Sequence, residues 1–186
     1  KRLYLATALV AGLICWPMCR AGWSLGFAAL LPVLTPVLLL MGLFLAYPVE
    51  KAIQLIYRED ARRILEGYRK TGLDVIAITG SYGKTTVKNI LAAMLSQRYP
   101  TLASPASFNT PLGLARCIRE ELGHQHRFFI AEMGARHPQD IRVLCRMIRP
   151  RDGILTAIGP QHLETMGSLQ RVRETKYDLI RALPGD

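Results

Sequence analysis

Cysteine is scarce in this sequence, and its placement excludes the common zinc scaffolds. Only four cysteines occur, and none of them forms a CxxC pair. A zinc ribbon or a zinc finger built on paired cysteines is therefore not supported. We interpret all four as packing residues of a protein in a reducing compartment.

Acidic residues are also few, since 14 Asp and Glu stand against 24 Lys and Arg for a net charge of +10. Such an excess suits a nucleic acid, an anionic lipid or a phosphorylated substrate. Aromatic residues make up only 8% of the chain, are not interleaved with the basic ones, and accompany no nucleic-acid-reading motif. We therefore expect no nucleic acid among the partners, and the basic stretch at 142–151 fits a solvated face equally well.

Charge is absent from a long segment near the N-terminus. Residues 25–47 form a run of 23 residues without a charged side chain, and about 20 apolar residues suffice for a helix to cross a membrane. A buried helix of a soluble protein is the alternative. Residues 3–16 are apolar but short, which fits either the first arm of a helical hairpin or the core of a signal peptide.

The charges that flank these segments favour the hairpin. Lys1 and Arg2 precede it and a basic stretch follows Tyr47, and basic residues mark the cytoplasmic side of a membrane. We therefore predict a transmembrane helical hairpin at 1–48, in contact with a lipid bilayer. The predicted localisation is the cell membrane, as a multi-pass protein whose catalytic domain faces the cytoplasm.

Beyond the apolar segment the pattern changes twice. Apolar residues recur at helical spacing through 49–72, which predicts an amphipathic linker helix lying on the membrane or against the next domain. From residue 73, short β-rich runs alternate with helices, which indicates βαβ units. We predict an α/β fold over 73–186, a P-loop-type parallel sheet flanked by helices and incomplete at its C-terminus.

The strongest chemical motif joins the first predicted strand of this domain to its first helix. Residues 75–86, VIAITGSYGKTT, contain a glycine loop in which two residues rather than the usual four separate the glycines. Such loops and helix N-termini converge backbone N–H groups on phosphate, although a plain strand-to-helix turn is the alternative. Lys84 would reach the β- and γ-phosphates of ATP, and Thr85 would bind Mg²⁺. The predicted ATP-binding residues are Thr79, Gly80, Ser81, Tyr82, Gly83, Lys84, Thr85 and Thr86.

Three further residues are candidates with weaker signals. Glu132 lies near the end of the predicted strand 128–133, within FFIAEMGA, at the edge of a parallel sheet where ligands bind, and an acidic side chain there can hold Mg²⁺. His162 follows the next strand, where a ligand role and a plain surface role both stay open. Lys176 lies inside the last helix, and by pattern alone it is a solvated lysine.

Together these segments resemble the central domain of the Mur ligase family, whose members build the peptide of the bacterial cell wall. TGSYGKTT is similar to the family's ATP loop, FIAEMGA to its acidic metal strand, IGPQHLETMGS to its histidine segment and TKYDLI to its lysine helix. The motifs occur in the family's order, and the resemblance covers roughly residues 73–183. SFNTPLG and HLETMGS look most like the members that add D-alanyl-D-alanine to a muramoyl tripeptide.

The resemblance implies an ATP- and Mg²⁺-dependent ligase that forms an amide bond through an acyl phosphate. A muramoyl-peptide precursor would supply the carboxylate, and an amino acid or dipeptide the amine. The residues implied in catalysis are Lys84, Glu132, His162 and Lys176. Those implied at the metal are Thr85, Glu132, His162 and Lys176. Lys176 matches a family lysine that is carbamylated by CO₂, and Asn109 and Thr110 match a loop near the nucleotide-linked substrate.

The sequence departs from the family pattern at both ends. Apolar residues stand where members carry a UDP-binding domain, and the sequence stops before the C-terminal domain, so we expect this stretch alone to be inactive. The acceptor can then be UDP-linked or lipid-linked. Two other functions stay open, a membrane-anchored P-loop kinase that regulates polysaccharide export and a nucleotide-sensing scaffold without catalysis. The kinase would not need His162 and Lys176, and nothing indicates the oligomeric state.

Overall fold

The computed structural model describes residues 16, 25–105 and 108–185. The chain divides into two compact units, residues 1–53 and residues 54–186. Helix α1 (Leu25–Lys70) begins in the first unit and ends in the second. It passes through Pro32, Pro36 and Pro48, although each proline removes a backbone donor from the helical ladder.

The predicted multi-pass localisation is wrong. It required two membrane-crossing helices within 1–48, whereas one helix in the described residues is long and apolar enough to cross a membrane, and that one continues to Lys70. The predicted first arm, 3–16, lies outside the described residues except for Trp16, so the hairpin is not confirmed. The predicted contact with a lipid bilayer rests on the length and composition of α1 alone.

The last turns of α1, from residue 54 onward, pack on the rest of the second unit. Ala61 and Leu65 are fully buried in its hydrophobic core. Asp60 forms an ion pair with Arg119, with an oxygen–nitrogen distance of 2.9 Å. This part of α1 therefore packs as an element of the globular unit.

A parallel sheet forms the centre of the second unit. Its strands are β1 (Asp74–Thr79), β2 (Thr101–Ala103), β3 (Phe128–Glu132) and β4 (Asp152–Leu155). They lie in the order β2-β3-β1-β4, and every neighbouring pair is parallel. Ile78 pairs with Glu132 and Thr79 with Leu155, so β1, β3 and β4 end at the same edge.

Helices pack against this sheet and bury its two central strands, β1 and β3. These helices are α2 (Lys84–Ser96), α3 (Pro111–Glu120), α4 (Asp140–Ile148), α5 (Leu163–Met166) and α6 (Leu169–Arg181). The central strand β1 is buried from Val75 to Thr79, which is typical of a parallel strand covered on both faces. The predicted α/β class, a parallel sheet flanked by helices, is confirmed.

Candidate nucleotide-binding site

The loop between β1 and α2 lies at the carboxyl edge of the sheet and depends on two glycines. Gly80 has φ of 153° and Gly83 has φ of 77°, conformations that other residues rarely adopt. A Cβ on Gly80 would collide with the Thr156 hydroxyl and lie 3.1 Å from the Ala157 nitrogen, whereas a Cβ on Gly83 would meet open space. Gly80 is therefore required by close packing, and Gly83 only by the turn.

The segment that follows β4 holds this loop in place. The buried Ser81 hydroxyl donates to the Gly159 carbonyl and accepts from the Gly159 N–H, with both distances at 2.9 Å. The Thr156 hydroxyl donates to the Tyr82 carbonyl at 2.6 Å. These bonds hold the loop backbone against the segment that follows β4.

The first turn of α2 offers backbone donors beside this loop. The N-cap residue is Gly83, which has no side chain and therefore makes no side-chain cap bond. Unpaired N–H groups at a helix N-terminus, together with the helix dipole, favour a bound anion. Lys84, Thr85 and Thr86 lie in this turn, so the structure places all the predicted ATP-binding residues on one continuous strand, loop and helix start.

Two lysine side chains converge on the same loop oxygen. The ammonium groups of Lys84 and Lys176 each donate to the Gly80 carbonyl at 2.9 Å. Lys176 reaches the loop from α6 and is buried, with only 3% of its surface exposed. Two like charges sharing one carbonyl repel each other, and an anion placed beside them would relieve that repulsion.

The environment of Lys176 changes its chemistry. Burial, and next the charge of Lys84, lower the pKa of Lys176 from 10.5 to about 8. An amine with such a pKa is partly neutral near physiological pH, and a neutral amine is nucleophilic. The structure therefore gives Lys176 a property that its place in the sequence pattern, a solvated helix position, did not indicate.

The lowered pKa of Lys176 gives an expected pH dependence of stability. The unfolded chain keeps this proton up to about pH 10.5, whereas the folded chain releases it near pH 8. Between these values the unfolded state binds more protons, so stability rises with pH. The free energy of unfolding of the wild type relative to Lys176→Met should therefore increase between pH 8 and pH 10, as measured by urea denaturation. A difference that stays constant over this range would contradict the assigned pKa.

A carboxylate faces the loop from the neighbouring strand. Glu132 ends β3 and is 3% exposed. The Thr85 hydroxyl donates to Glu132 Oε2 at 3.0 Å. These two oxygen-bearing side chains adjoin the glycine loop, and oxygen ligands are those that Mg²⁺ prefers. Because Mg²⁺ usually takes only one or two protein ligands beside substrate phosphates and water, this pair fits the ion.

His162 does not join this group. It precedes α5 with φ of 53°, and its side chain is exposed. Across 25–105 and 108–185, no hydrogen bond or ion pair links its side chain to Glu132 or Lys176, and no three His, Cys, Asp or Glu side chains cluster as a metal site. Lys176 likewise contacts Gly80 rather than Glu132.

The predicted substrate residues lie beside the end of β3. The Asn109 carbonyl accepts from the Gly134 N–H at 2.8 Å, and a Cβ on Gly134 would lie 3.0 Å from Asn109 Cγ. The Thr110 hydroxyl caps α3 by accepting from the Gly113 N–H at 3.2 Å. Thr110 thus has a structural use, while Asn109 bonds Gly134, which lies two residues after Glu132.

Two polar residues of this site were missed from the sequence. Lys88 forms an ion pair with Glu132 Oε2 at 3.1 Å, and its ammonium donates to the Ser104 carbonyl at 2.8 Å. A signal was present for Lys88, because it lies three residues after Thr85 and thus on the same face of a helix. No sequence signal marked Ser104, because it follows β2, and a strand of only three residues is too short to show an alternation of apolar and polar side chains.

Comparison with known proteins agrees with this geometry. The sequence matches the family of the Mur ligase middle domain over residues 78–186. It is 36% identical over 113 residues to the UDP-N-acetylmuramoyl-tripeptide–D-alanyl-D-alanine ligase of Mycobacterium bovis, covering 61% of this chain and 22% of the relative. The ligase of the same name from Synechocystis is 33% identical over 124 residues, covering 66% of this chain and 27% of the relative.

Solved structures show the same likeness. MurF from Acinetobacter baumannii superposes with a TM-score of 0.67 at 30% identity, covering 70% of this chain and 28% of that one. MurF from Thermotoga maritima, solved in complex with ADP, gives a TM-score of 0.65 at 32% identity, covering 70% and 30%. The chain thus spans about a quarter of the length of the relatives it matches. Since the family match covers more than half of the chain, the protein belongs to the Mur ligase family through its middle domain.

Proposed function

We propose that this chain carries the ATP-binding domain of a ligase that joins D-alanyl-D-alanine to a muramoyl tripeptide. The single observation that supports this most is the convergence of Lys84 and Lys176 on the Gly80 carbonyl, beside the Thr85–Glu132 pair. Fixed cations on one side and oxygen ligands on the other suit a triphosphate bound with a divalent cation. The substrate class is that of the relatives from Mycobacterium bovis and Synechocystis, which are UDP-N-acetylmuramoyl-tripeptide–D-alanyl-D-alanine ligases.

The proposed reaction has two steps that both develop negative charge. The γ-phosphoryl group of ATP passes to the carboxylate of the muramoyl peptide, which gives an acyl phosphate and ADP. The amine of the dipeptide then attacks the acyl carbon, phosphate leaves, and the amine loses a proton as the amide forms. Lys84 stabilises the charge on the transferring phosphoryl group, because fixed cations at that point cost no reorganisation during the reaction.

Mg²⁺ is part of the same proposal. Thr85 and Glu132 would hold it, and the ion supplies charge neutralisation at the phosphates. His162 is proposed as a ligand of a second Mg²⁺, a role that would require contacts its side chain does not make here. Lys176 is proposed as a site of carbamylation, in which its neutral nitrogen bonds to the carbon of CO₂ and releases a proton. The lowered pKa of Lys176, about 8, supports this because the neutral amine is the reacting form.

The remaining residue assignments are proposals of the same kind. Residues 73–186 would act as the nucleotide-binding domain, and 49–72 as the helix that links it to preceding residues. Asn109 and Thr110 would lie near the muramoyl substrate. The position of Asn109 against Gly134, just beyond Glu132, supports a substrate approaching from this side.

The experiment is a phosphate-release assay on the full-length protein. We expect release only when ATP, Mg²⁺, a UDP-linked muramoyl tripeptide and D-alanyl-D-alanine are all present, with the amide product found by mass spectrometry. Phosphate release that does not depend on either peptide substrate would refute the proposal. Autophosphorylation on tyrosine would instead support the kinase, and intact cell-wall assembly without nucleotide binding would support the scaffold.

A further inference from the structure

The geometry points to Lys88 as a positioning residue: we propose that it fixes the Glu132 carboxylate in the orientation that receives the divalent cation. The inference rests on the proposed function, since it concerns the same carboxylate. It assigns a task to a buried charge that the reaction described above does not use.

Lys88 is unusual in being almost wholly buried. It is 2% exposed, and lysine is almost never fully buried unless it is paired. Its ammonium lies 3.1 Å from Glu132 Oε2 and 2.8 Å from the Ser104 carbonyl oxygen. Because the side chain has so little access to solvent, Lys88 acts on its neighbours rather than on a bound nucleotide.

These contacts form a closed ring that joins three elements. The Ser104 hydroxyl accepts from the Glu132 N–H at 3.0 Å, and the Ser104 N–H donates to the Ile130 carbonyl at 2.9 Å. Lys88, on α2, closes the ring by bonding both the Ser104 carbonyl and the Glu132 side chain. The backbone and the side chain of Glu132 are thus both tied to the residue that follows β2.

The ring determines which carboxylate oxygen is available. The Lys88 ammonium and the Thr85 hydroxyl both contact Oε2 of Glu132. In the part of the chain that the structure describes, no hydrogen-bond donor contacts Oε1. A carboxylate held at one oxygen by two donors presents the other oxygen in a defined direction, as partners behind metal ligands commonly do.

Lys84 serves as an internal comparison. Its ammonium bonds loop carbonyls, at 2.9 Å from Gly80 and 3.4 Å from Ser81, and it is partly exposed, so it can turn towards a phosphate. Lys88 is four residues further along α2 and bonds Glu132, at the end of β3, and the Ser104 carbonyl. The two lysines therefore divide the tasks of contacting the nucleotide and orienting the carboxylate.

The test separates nucleotide binding from its metal dependence. ADP affinity of the full chain is measured by calorimetry in EDTA and again with saturating Mg²⁺, and Mn²⁺ binding is followed by electron paramagnetic resonance. Lys88→Met should keep its ADP affinity in EDTA within about twofold of the wild type. It should lose about tenfold or more in Mn²⁺ affinity, the size of effect usual when a partner behind a metal ligand is removed. Lys88→Arg, which keeps a charged donor, should recover most of this loss, and Lys70→Met, at an exposed lysine, should behave as wild type.

A Lys88→Met protein whose Mn²⁺ affinity equals that of the wild type would reduce Lys88 to a structural role and overturn the inference. The same holds if Lys88→Arg and Lys88→Met behave alike. Should Lys88→Met fail to fold, Lys88→Gln carries the comparison, and normal Mn²⁺ affinity in that variant is equally decisive. If the wild type itself shows no metal effect on ADP affinity, the proposed function fails and this inference falls with it; failure of the inference alone leaves the wild-type effect intact.

Discussion

Replacing Lys84 with alanine is expected to lower substrate-dependent phosphate release by about 100-fold or more, the usual cost of removing one fixed group that stabilises transition-state charge. The fold should survive, because Lys84 is only partly buried and its bonds go to loop carbonyls rather than into the core. The measurement pairs the phosphate-release assay with thermal unfolding. An unfolding temperature close to that of the wild type shows that lost activity reflects the site and not the fold.

The control for this variant is Lys70→Ala, which removes the same charge from an exposed position at the end of α1. A second readout comes from Lys176, because the charge of Lys84 is one of the two causes that lower its pKa to about 8. In Lys84→Ala the pKa of Lys176 should therefore rise. Unchanged activity in Lys84→Ala would remove the main support for phosphate binding at this loop.

The strands β1, β3 and β4 could be predicted because each lies in a short run of apolar residues between turn signals. Burial on both faces produces such runs in the central strands β1 and β3. The strand β2 and the helix α5 could not be predicted, since three and four residues contain no full period. The helix α1 runs without a break through residue 48, where the sequence placed the boundary between the hairpin and the linker helix. Hydropathy measures how long an apolar segment is, but it does not determine whether the helix stops where charges begin.

In the site too, residues in local motifs could be predicted, whereas residues brought in by the tertiary fold could not. A local motif and a strand end predicted that Thr85 and Glu132 bind the same Mg²⁺ and are therefore neighbours. In the structure β1 and β3 pair in parallel, and the Thr85 hydroxyl oxygen lies 3.0 Å from Glu132 Oε2. Lys176 comes from a helix almost a hundred residues after the loop, and only resemblance to a family singled it out. The partnership of Lys88 with Ser104 depends on the position of β2, so it could not be inferred before that strand was known.

Gly80→Ala is expected to be the most disruptive single substitution in the loop. At φ of 153° a side chain is strained, and the new methyl group would collide with the Thr156 hydroxyl and press on the Ala157 nitrogen. Strain and overpacking of this kind cost about 1–3 kcal/mol each, so the free energy of unfolding should fall by about 2–6 kcal/mol. Urea denaturation followed by circular dichroism measures this loss directly.

Gly83→Ala is the matched control, because it makes the same change three residues away in a loop position with open space around it. Its φ of 77° alone should cost about 1–2 kcal/mol. The methyl group at Gly80 would also separate the loop from the segment after β4, whose bonds from Thr156 and Gly159 hold the loop. Gly80→Ala should therefore lose ADP binding even under conditions where it stays folded. Equal stability losses in the two variants would mean that backbone conformation, and not the contact with Thr156 and Ala157, dictates glycine at position 80.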